Sequence, residues 1–368
     1  MISSIKIEGY RGFGRFEMEN LGRVNLLVGT NNSGKTSLLE ALYLLTTRGE
    51  PASLWQLLFR RGERSLSDSR GPRPGEIEFD VSHLFTGHEI QLGSKFSLVA
   101  QNESPELSLT FAVGKWPSKE RGEAETPPGV SRLALHINGH PQSPVPIIPL
   151  SRIGGISPDA LDLSARRPGR TQSRSEGAPS QFITTESLDG DDLVLLWNKV
   201  ALTPNEGLVL RALKFLDPQI ERIAAQASPN YYGGRSRSGF IVKLSNREQP
   251  IPIGSMGDGM WRMLAMAIAI TQCRGGVLLV DEIDTGLHYT VMADMWKLVF
   301  AASQEFNVQV FATTHSYDCI ESLARARSTE SGTQSHITLQ RIEAGSACSV
   351  PYSESEIAIA AEKGIEVR

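Results

Sequence analysis

Cysteine is scarce in this chain. Cys273, Cys319 and Cys348 are the three present in 368 residues, and no two of them form a C-x-x-C pair. That excludes a disulfide framework and a thiolate zinc site, and makes a reducing, cytoplasmic compartment the simplest expectation. Long apolar runs are missing as well: nothing approaches the roughly 18 residues that span a bilayer. The longest candidate, Met263 to Ile270, reads as a piece of core helix, so no membrane partner is expected. The first eight residues alternate like a strand and reach polar side chains too soon for a secretory signal. Neither sign of charge dominates, because 37 Lys and Arg stand against 41 Asp and Glu, leaving −4. No global field draws the chain to nucleic acid, although a local basic patch stays open. No repeat of 20–50 residues and no sustained heptad pattern is present.

The patterns that do occur read as alternating strands and helices. Ile2, Ile5 and Ile7 alternate with polar partners, and Phe13, Phe16 and Met18 follow, as in two antiparallel strands. Val24 to Val28 is an apolar run ending at Gly29, and Leu38, Leu39, Leu42 and Leu45 then recur at helical spacing from Lys35 to Thr46. A helix is expected from Leu54 to Phe59. The period-2 segments Glu76–Val81, Ile90–Ala100, Leu107–Val113 and Arg132–Ile137 follow, and they predict an antiparallel region inserted over 48–150. Residues 151–181, rich in Arg, Ser, Gly and Pro, read as a mobile loop. Thr203-Pro-Asn-Glu206 has the form of a capping box and predicts a helix from Pro204. A short helix from Pro218 to Gln226 and a strand pair near 228–246 would complete a helical subdomain with a β-ribbon over 182–247. Helices 259–272, 289–305 and 316–327 then alternate with strands 276–280, 308–312 and 336–342. This predicts a parallel core sheet covered on both faces, assembled from 1–47 and 248–368.

Four segments carry chemistry. Gly29-x-x-x-x-Gly34-Lys35-Thr36 matches a phosphate-binding loop in full and lies between a strand and a helix. Asn31, Asn32, Ser33, Gly34, Lys35, Thr36 and Ser37 are therefore candidate ATP-binding residues. The Lys35 ammonium would reach the β- and γ-phosphates and the Thr36 hydroxyl would ligate Mg²⁺. Val277-Leu-Leu-Val-Asp281-Glu282 is a buried strand ending in two acids. Asp281 there suits the magnesium, and Glu282 suits a base that orients or deprotonates water. Phe311-Ala-Thr-Thr-His315-Ser316 runs into a polar tip and brings His315 to the carboxyl end of the sheet. Ile253-Gly-Ser-Met-Gly257-Asp258-Gly259 sets a glycine-rich turn before a helix, with Asp258 as its expected N-cap and a second anion site as the result. Each segment alone has a bland alternative: dipole-complementing acids, a structural histidine, a tight turn. Their order in one chain favours chemistry.

In that order the segments resemble an ABC-type ATPase head. More narrowly they are similar to the RecF/SMC-like branch, and within it to stand-alone ATPases of the overcoming-lysogenization-defect (OLD) group. The matching text is Tyr10-Arg-Gly-Phe13, Gly29 to Thr36, Ser255 to Gly259, Leu279 to Glu282, Gly286-Leu-His288 and Ala312 to Ser316. The resemblance implies an α/β P-loop NTPase fold with a parallel core sheet, an antiparallel β subdomain and a helical subdomain. It also implies a homodimer, or a higher oligomer, that sandwiches ATP and Mg²⁺. Carried over by position, Glu282 is the catalytic base, His315 the switch, Lys35 a phosphate contact, and Thr36 and Asp281 the metal site. Gly257, Asp258 and Gly259 touch the partner's nucleotide, and Arg11 approaches the base or phosphates. Gln181 is the candidate for the glutamine loop. Two departures stand out: Gly257 replaces the usual serine, and His288 stands where SMC proteins place an aspartate, although Gly-Leu-His is usual in the OLD group.

The function expected from this resemblance is control of a separately encoded effector, such as a Toprim-like nuclease or a toxin, in antiphage defence. The residues after His315 lack the strand-borne Glu and Asp-x-Asp arrangement of a two-metal nuclease. One alternative is a RecF-like ATPase that clamps DNA, using Arg152, Arg166, Arg167, Arg170, Arg174, Arg235, Arg237 and Lys243 as a basic surface. Another is a slowly hydrolysing, nucleotide-dependent scaffold.

Overall fold

A computed structural model of the chain describes residues 1–66, 77–102, 106–116, 130–139, 146–151, 154–158, 178–186, 188, 190–226, 239–328 and 337–367. The strands are β1 (Ile2–Tyr10), β2 (Phe13–Met18), β3 (Val24–Val28), β4 (Arg64–Leu66), β5 (Ile77–Asp80), β6 (Lys95–Asn102), β7 (Leu107–Lys115), β8 (Val130–Asn138) and β9 (Ile147–Ser151). They continue with β10 (Gly155–Ile156), β11 (Ser180–Ile183), β12 (Ile220–Ala225), β13 (Phe240–Leu244), β14 (Ile251–Pro252), β15 (Val277–Val280), β16 (Gln309–Thr313), β17 (Ile337–Arg341) and β18 (Val350–Tyr352). The helices are α1 (Lys35–Thr46), α2 (Pro51–Arg61), α3 (Gly190–Trp197), α4 (Glu206–Lys214), α5 (Asp258–Gln272), α6 (Tyr289–Glu305), α7 (Tyr317–Ser328) and α8 (Glu354–Lys363).

The core sheet has the order β11-β15-β16-β3-β17-β18, parallel throughout except for the last pair. Side chains alternate between its faces, as strand geometry requires. Val24, Leu26 and Val28 of β3, with Val310 and Ala312 of β16, enter one apolar cluster; Leu27 and Phe311 enter the other. The first cluster is closed by α5, α6 and α7, the second by α1 and the antiparallel sheet. Both faces being covered explains why these strands are apolar without interruption. Helix α5 is buried from Met260 to Thr271, which accounts for an apolar composition all round its axis. Among the described residues no helix is long and apolar enough to cross a membrane.

The antiparallel sheet, β2-β1-β6-β7-β8-β9, is not confined to the expected insertion. The N-terminal strands belong to it, with Ile5 opposite Ala100 and Ile7 opposite Leu98, so it grows out of residues 1–18. Strand β5 leaves this sheet for a smaller one, β10-β5-β4. β9 was not expected, because Pro146 and Pro149 interrupt its pattern; as an edge strand it tolerates Pro149. Helix α2 runs farther than Leu54–Phe59 in both directions, and Ser180–Ile183 is a core strand rather than the end of a loop.

Two expectations in 203–226 need correction. Helix α4 starts at Glu206, not Pro204, and the Glu206 carboxylate accepts from the Leu202 N–H at 2.7 Å without a Thr203 side-chain cap on the helix. The segment Pro218–Gln226 contains strand β12, not a helix. Its buried Ile220 and Ile223 stand three apart because the register with β13 shifts between Ile220 and Arg222. That irregularity imitates helical spacing, and pairing with Phe240–Leu244 overrides it.

Phe311 is fully buried under the antiparallel lobe. Phe311→Ala is expected to lower unfolding free energy by about 3–5 kcal/mol. Urea denaturation followed by far-UV circular dichroism would measure it, and a loss under about 1 kcal/mol would mean that the two lobes do not share this core.

Candidate functional site

The loop between β3 and α1 folds as a cradle. Gly34 has φ +100°, and a Cβ there would lie 2.5 Å from the Phe13 ring, so the ring of the Tyr10–Phe13 segment packs against the loop and demands glycine. Asn32 is also left-handed, at φ +62°. Helix α1 has no acidic residue in its first turn and no side-chain cap, which leaves its leading N–H groups to an anion. Lys35 Nζ donates to the carbonyls of Gly29 at 2.8 Å and Thr30 at 2.7 Å. Burial pulls its pKa below the ordinary lysine value, with Asp281 and Glu282 opposing that shift.

The strand tips supply the acids. Thr36 Oγ1 lies 3.1 Å from Asp281 Oδ2, and Thr313 Oγ1 donates to Asp281 Oδ1 at 2.6 Å. The same Thr313 hydroxyl accepts from the Glu282 N–H at 2.7 Å. Glu282 itself is left-handed, at φ +47°, a conformation a non-glycine residue holds only when its surroundings impose it. Three neighbours do so: Thr313 from the adjacent strand, Thr285 Oγ1 donating to Glu282 Oε2 at 3.2 Å, and Arg262 of α5. The buried Arg262 guanidinium donates to the carbonyls of Thr184, Asp281 (2.5 Å) and Glu282 (2.9 Å), joining α5 to the tips of β11 and β15. Burial lowers its pKa to about 10 against the pull of Asp281, Asp284 and Glu282.

The loop and the two acids border one cavity of about 570 Å³, a size suited to a small-molecule ligand. Asn31 to Ser37, Asp281, Glu282 and His315 line it, joined by Glu40, Arg60, Arg61, Phe182, Thr184, Thr185 and Glu186. Thr36 and Asp281 offer hard oxygen donors 3.1 Å apart, a set that fits Mg²⁺. Arg60, Arg61, Thr313 and Arg262 were not singled out from the sequence. The usable signal was a lone arginine in the otherwise apolar α5, since full burial of arginine demands partners.

Three expectations are corrected by geometry. Arg11 is absent from the cavity lining: it is 6% exposed, with Nε 2.8 Å from Glu40 and Nη1 2.6 Å from Glu63. Its charge is committed to carboxylates of α1 and of the segment after α2, and Arg61, on the other side of Glu40 at 2.7 Å, is the one that faces the cavity. Gln181 sits within β11 opposite Leu278, one residue short of the lining, which begins at Phe182. Asp258 is the first residue of α5 and Gly257 its N-cap. Gly257, Asp258 and Gly259 line a different groove of about 540 Å³, shared with Gly286, Leu287 and His288. There a Cβ on Gly259 would meet the Gly286 carbonyl at 2.8 Å, so the turn before α5 and the Gly286 loop require close approach. Of the arginines considered for a basic surface, 152, 166, 167, 170, 174, 235 and 237 lie outside the described residues. Lys243 donates to the carbonyls of Arg247 and Glu248.

A phosphate cradle, a threonine–aspartate pair and a glutamate on the next position of the same strand tip define a P-loop ATPase fold. Comparison with known proteins agrees at that level. Residues 1–107 match the family described as "AAA ATPase domain", and residues 180–319 match "AAA domain, putative AbiEii toxin, Type IV TA system". The chain is 21% identical over 344 residues to an "ATP/GTP phosphatase" of Helicobacter pylori, covering 88% of this chain and 87% of that protein. It is 26% identical over 98 residues to the DNA replication and repair protein RecF of Clostridioides difficile, covering 27% of this chain and 22% of that one. Among solved structures it is similar to an SMC head domain from Thermotoga maritima (13% identity, TM-score 0.44, 96% and 98% of the two chains). It is also similar to an Smc head domain from Pyrococcus furiosus bound to the C-terminal domain of ScpA (12%, TM-score 0.49, 99% of each). The two family matches support an ATPase of the AAA class.

Two substitutions probe this construction. Arg262→Met would leave three strand-tip carbonyls without their donor and is expected to cost about 3 kcal/mol, read by chemical denaturation. Arg11→Met would take the cation from the partly buried Glu63 and leave the buried Glu40 with Arg61 alone, at a cost of about 3 kcal/mol. Because Arg11 is outside the cavity, equilibrium nucleotide titration of the folded Arg11→Met protein should give affinity within about threefold of wild type, under 1 kcal/mol.

Proposed function

We propose that the chain is a Mg²⁺-dependent ATP hydrolase that works as a dimer and controls a separately encoded effector. The observation that carries hydrolysis is the convergence of Lys35, Thr36, Asp281, Glu282 and His315 on one cavity. The α1 N-terminus and Lys35 hold the phosphate chain, and Thr36 with Asp281 hold the magnesium. That ion, when bound, neutralises charge on the transferring phosphoryl group. Glu282 accepts a proton from the attacking water as the new O–P bond forms and the bond to ADP breaks; His315 hydrogen-bonds the γ-phosphate. Support for the dimer comes from Gly257–Gly259 lying in a groove of their own: a second copy would bring that anion site to the open side of the phosphate cradle.

Effector control is the finer part of the reading. It rests on the six OLD-like segments and on the toxin–antitoxin system named by the second matched family. A nuclease or a toxin in an antiphage system is the expected effector. The RecF similarity favours a second reading, a clamp on DNA.

Glu282→Gln should lower ATP turnover about 10²–10³-fold while preserving ATP affinity. It should also trap a doubled mass in light scattering when ATP is present. Equal turnover in both proteins would sink hydrolysis, and an unchanged mass with ATP would sink the dimer. Co-purification with the product of a neighbouring gene would support effector control, whereas ATP-dependent, salt-sensitive DNA affinity without a protein partner would favour the clamp.

A further inference from the structure

A pair of histidines outside the lining of the nucleotide cavity is arranged as ligands. His83, in the 3₁₀ turn Ser82–Leu84, and His88, in the loop after it, point Nδ1 at Nδ1 across 3.4 Å, with ring planes 57° apart. That separation is at the long end for an N–H···N hydrogen bond, which one neutral ring can donate to the other. It equals the spacing of two nitrogens on a tetrahedral ion at about 2.0–2.1 Å, which is about 3.4 Å. Asp80 Oδ2 lies 3.7 Å behind His83, at Nε2. At that distance the carboxylate acts through its charge rather than through a hydrogen bond, favouring the tautomer with its proton on Nε2 and its lone pair on Nδ1.

The backbone holds this arrangement. Asp80 Oδ1 accepts from the Ser82 N–H at 2.9 Å, leaving Oδ2 for His83. The Arg11 N–H donates to the Leu84 carbonyl at 2.9 Å, and the Thr86 N–H to the Gly9 carbonyl at 3.0 Å. Thr86 Oγ1 donates to the Phe13 carbonyl at 3.2 Å, so the loop is stitched to the β1–β2 hairpin at three points. His88 is left-handed, at φ +57°, and its N–H donates to the Phe85 carbonyl at 3.1 Å, a turn that aims the ring back toward His83.

We infer that His83 and His88 form a two-histidine site for a divalent transition-metal ion of the zinc class, with Asp80 orienting His83. Among the described residues no group of three or more His, Cys, Asp or Glu is placed to hold a metal, so water completes the coordination. Imidazole nitrogens select such ions over Mg²⁺, which keeps this site chemically apart from Thr36 and Asp281. An ion here would tie the 3₁₀ turn, which backs Arg11, to the loop that follows it.

The test uses the full-length, tag-free, chelator-treated protein. Zn²⁺ is titrated in competition with a chromophoric chelator, with excess Mg²⁺ present, and Co²⁺ absorption serves as a second readout. Wild type should take up one Zn²⁺ per chain. His83→Ala and His88→Asn should each weaken that binding at least about tenfold, and Asp80→Asn by about tenfold. Thermal melting of the ion-free proteins checks folding. His88→Asn keeps a residue that tolerates the left-handed backbone and carries the test alone if His83→Ala is unstable. Zinc uptake unchanged when His83→Ala and His88→Asn are combined, or none by wild type, overturns the proposal.

Discussion

The levelling of three strand tips is the constraint on which the rest of the molecule depends. In the parallel register Leu26, Ala312 and Val280 stand side by side, so the residues after them emerge at one height from the sheet. Thr313 can then reach Asp281 and the Glu282 backbone, and the loop after β3 delivers Thr36 to the same carboxylate. β11 extends the row by one strand, bringing Thr184 beside Asp281 and within reach of Arg262. A slip of one residue in any of these strands would exchange its two faces as well as break the site, so the apolar core and the chemistry enforce the same alignment.

Charge is arranged around that row in two layers. Arg262 is spent on backbone carbonyls beneath the cavity, where it supports a left-handed Glu282 that would otherwise relax. Arg11, Glu40, Glu63 and Arg61 form a chain running from the β1–β2 hairpin to the cavity wall, in which each buried carboxylate has a cation within 2.8 Å. Removing one member of such a chain costs more than the chain as a whole contributes, because the remaining charges stay buried. The same hairpin anchors the loop that carries His88, so the antiparallel lobe is mechanically continuous with the nucleotide end of the sheet.

How far the sequence could be read follows from how local each signal is. Gly29 to Thr36 was legible because the cradle needs glycine and lysine at set spacing within eight residues. Asp281, Glu282 and His315 were legible because buried strands end abruptly in polar groups. Arg11 was misread: its position in a short motif suggested a ligand contact, and only the fold brings Glu40 and Glu63 to it from 29 and 52 residues away. β12 was misread because a register shift placed two isoleucines three residues apart on one face. His83 and His88 drew no notice at all, since a spacing of five residues has no meaning until a turn folds it back.

The sequence by itself determined the class of fold, the alternation of strand and helix in the second half, and the end of the sheet at which the cavity lies. Each of these is set by short-range periodicity or by residues that only one backbone conformation suits. Tertiary structure alone decided which cations face the cavity and which are consumed beneath it, and it placed Gly257–Gly259 in a separate groove from Lys35. It also decided that the first two strands join the antiparallel lobe. Those outcomes turn on contacts between segments tens to hundreds of residues apart, whose geometry is fixed by strand register and helix packing rather than by any local pattern.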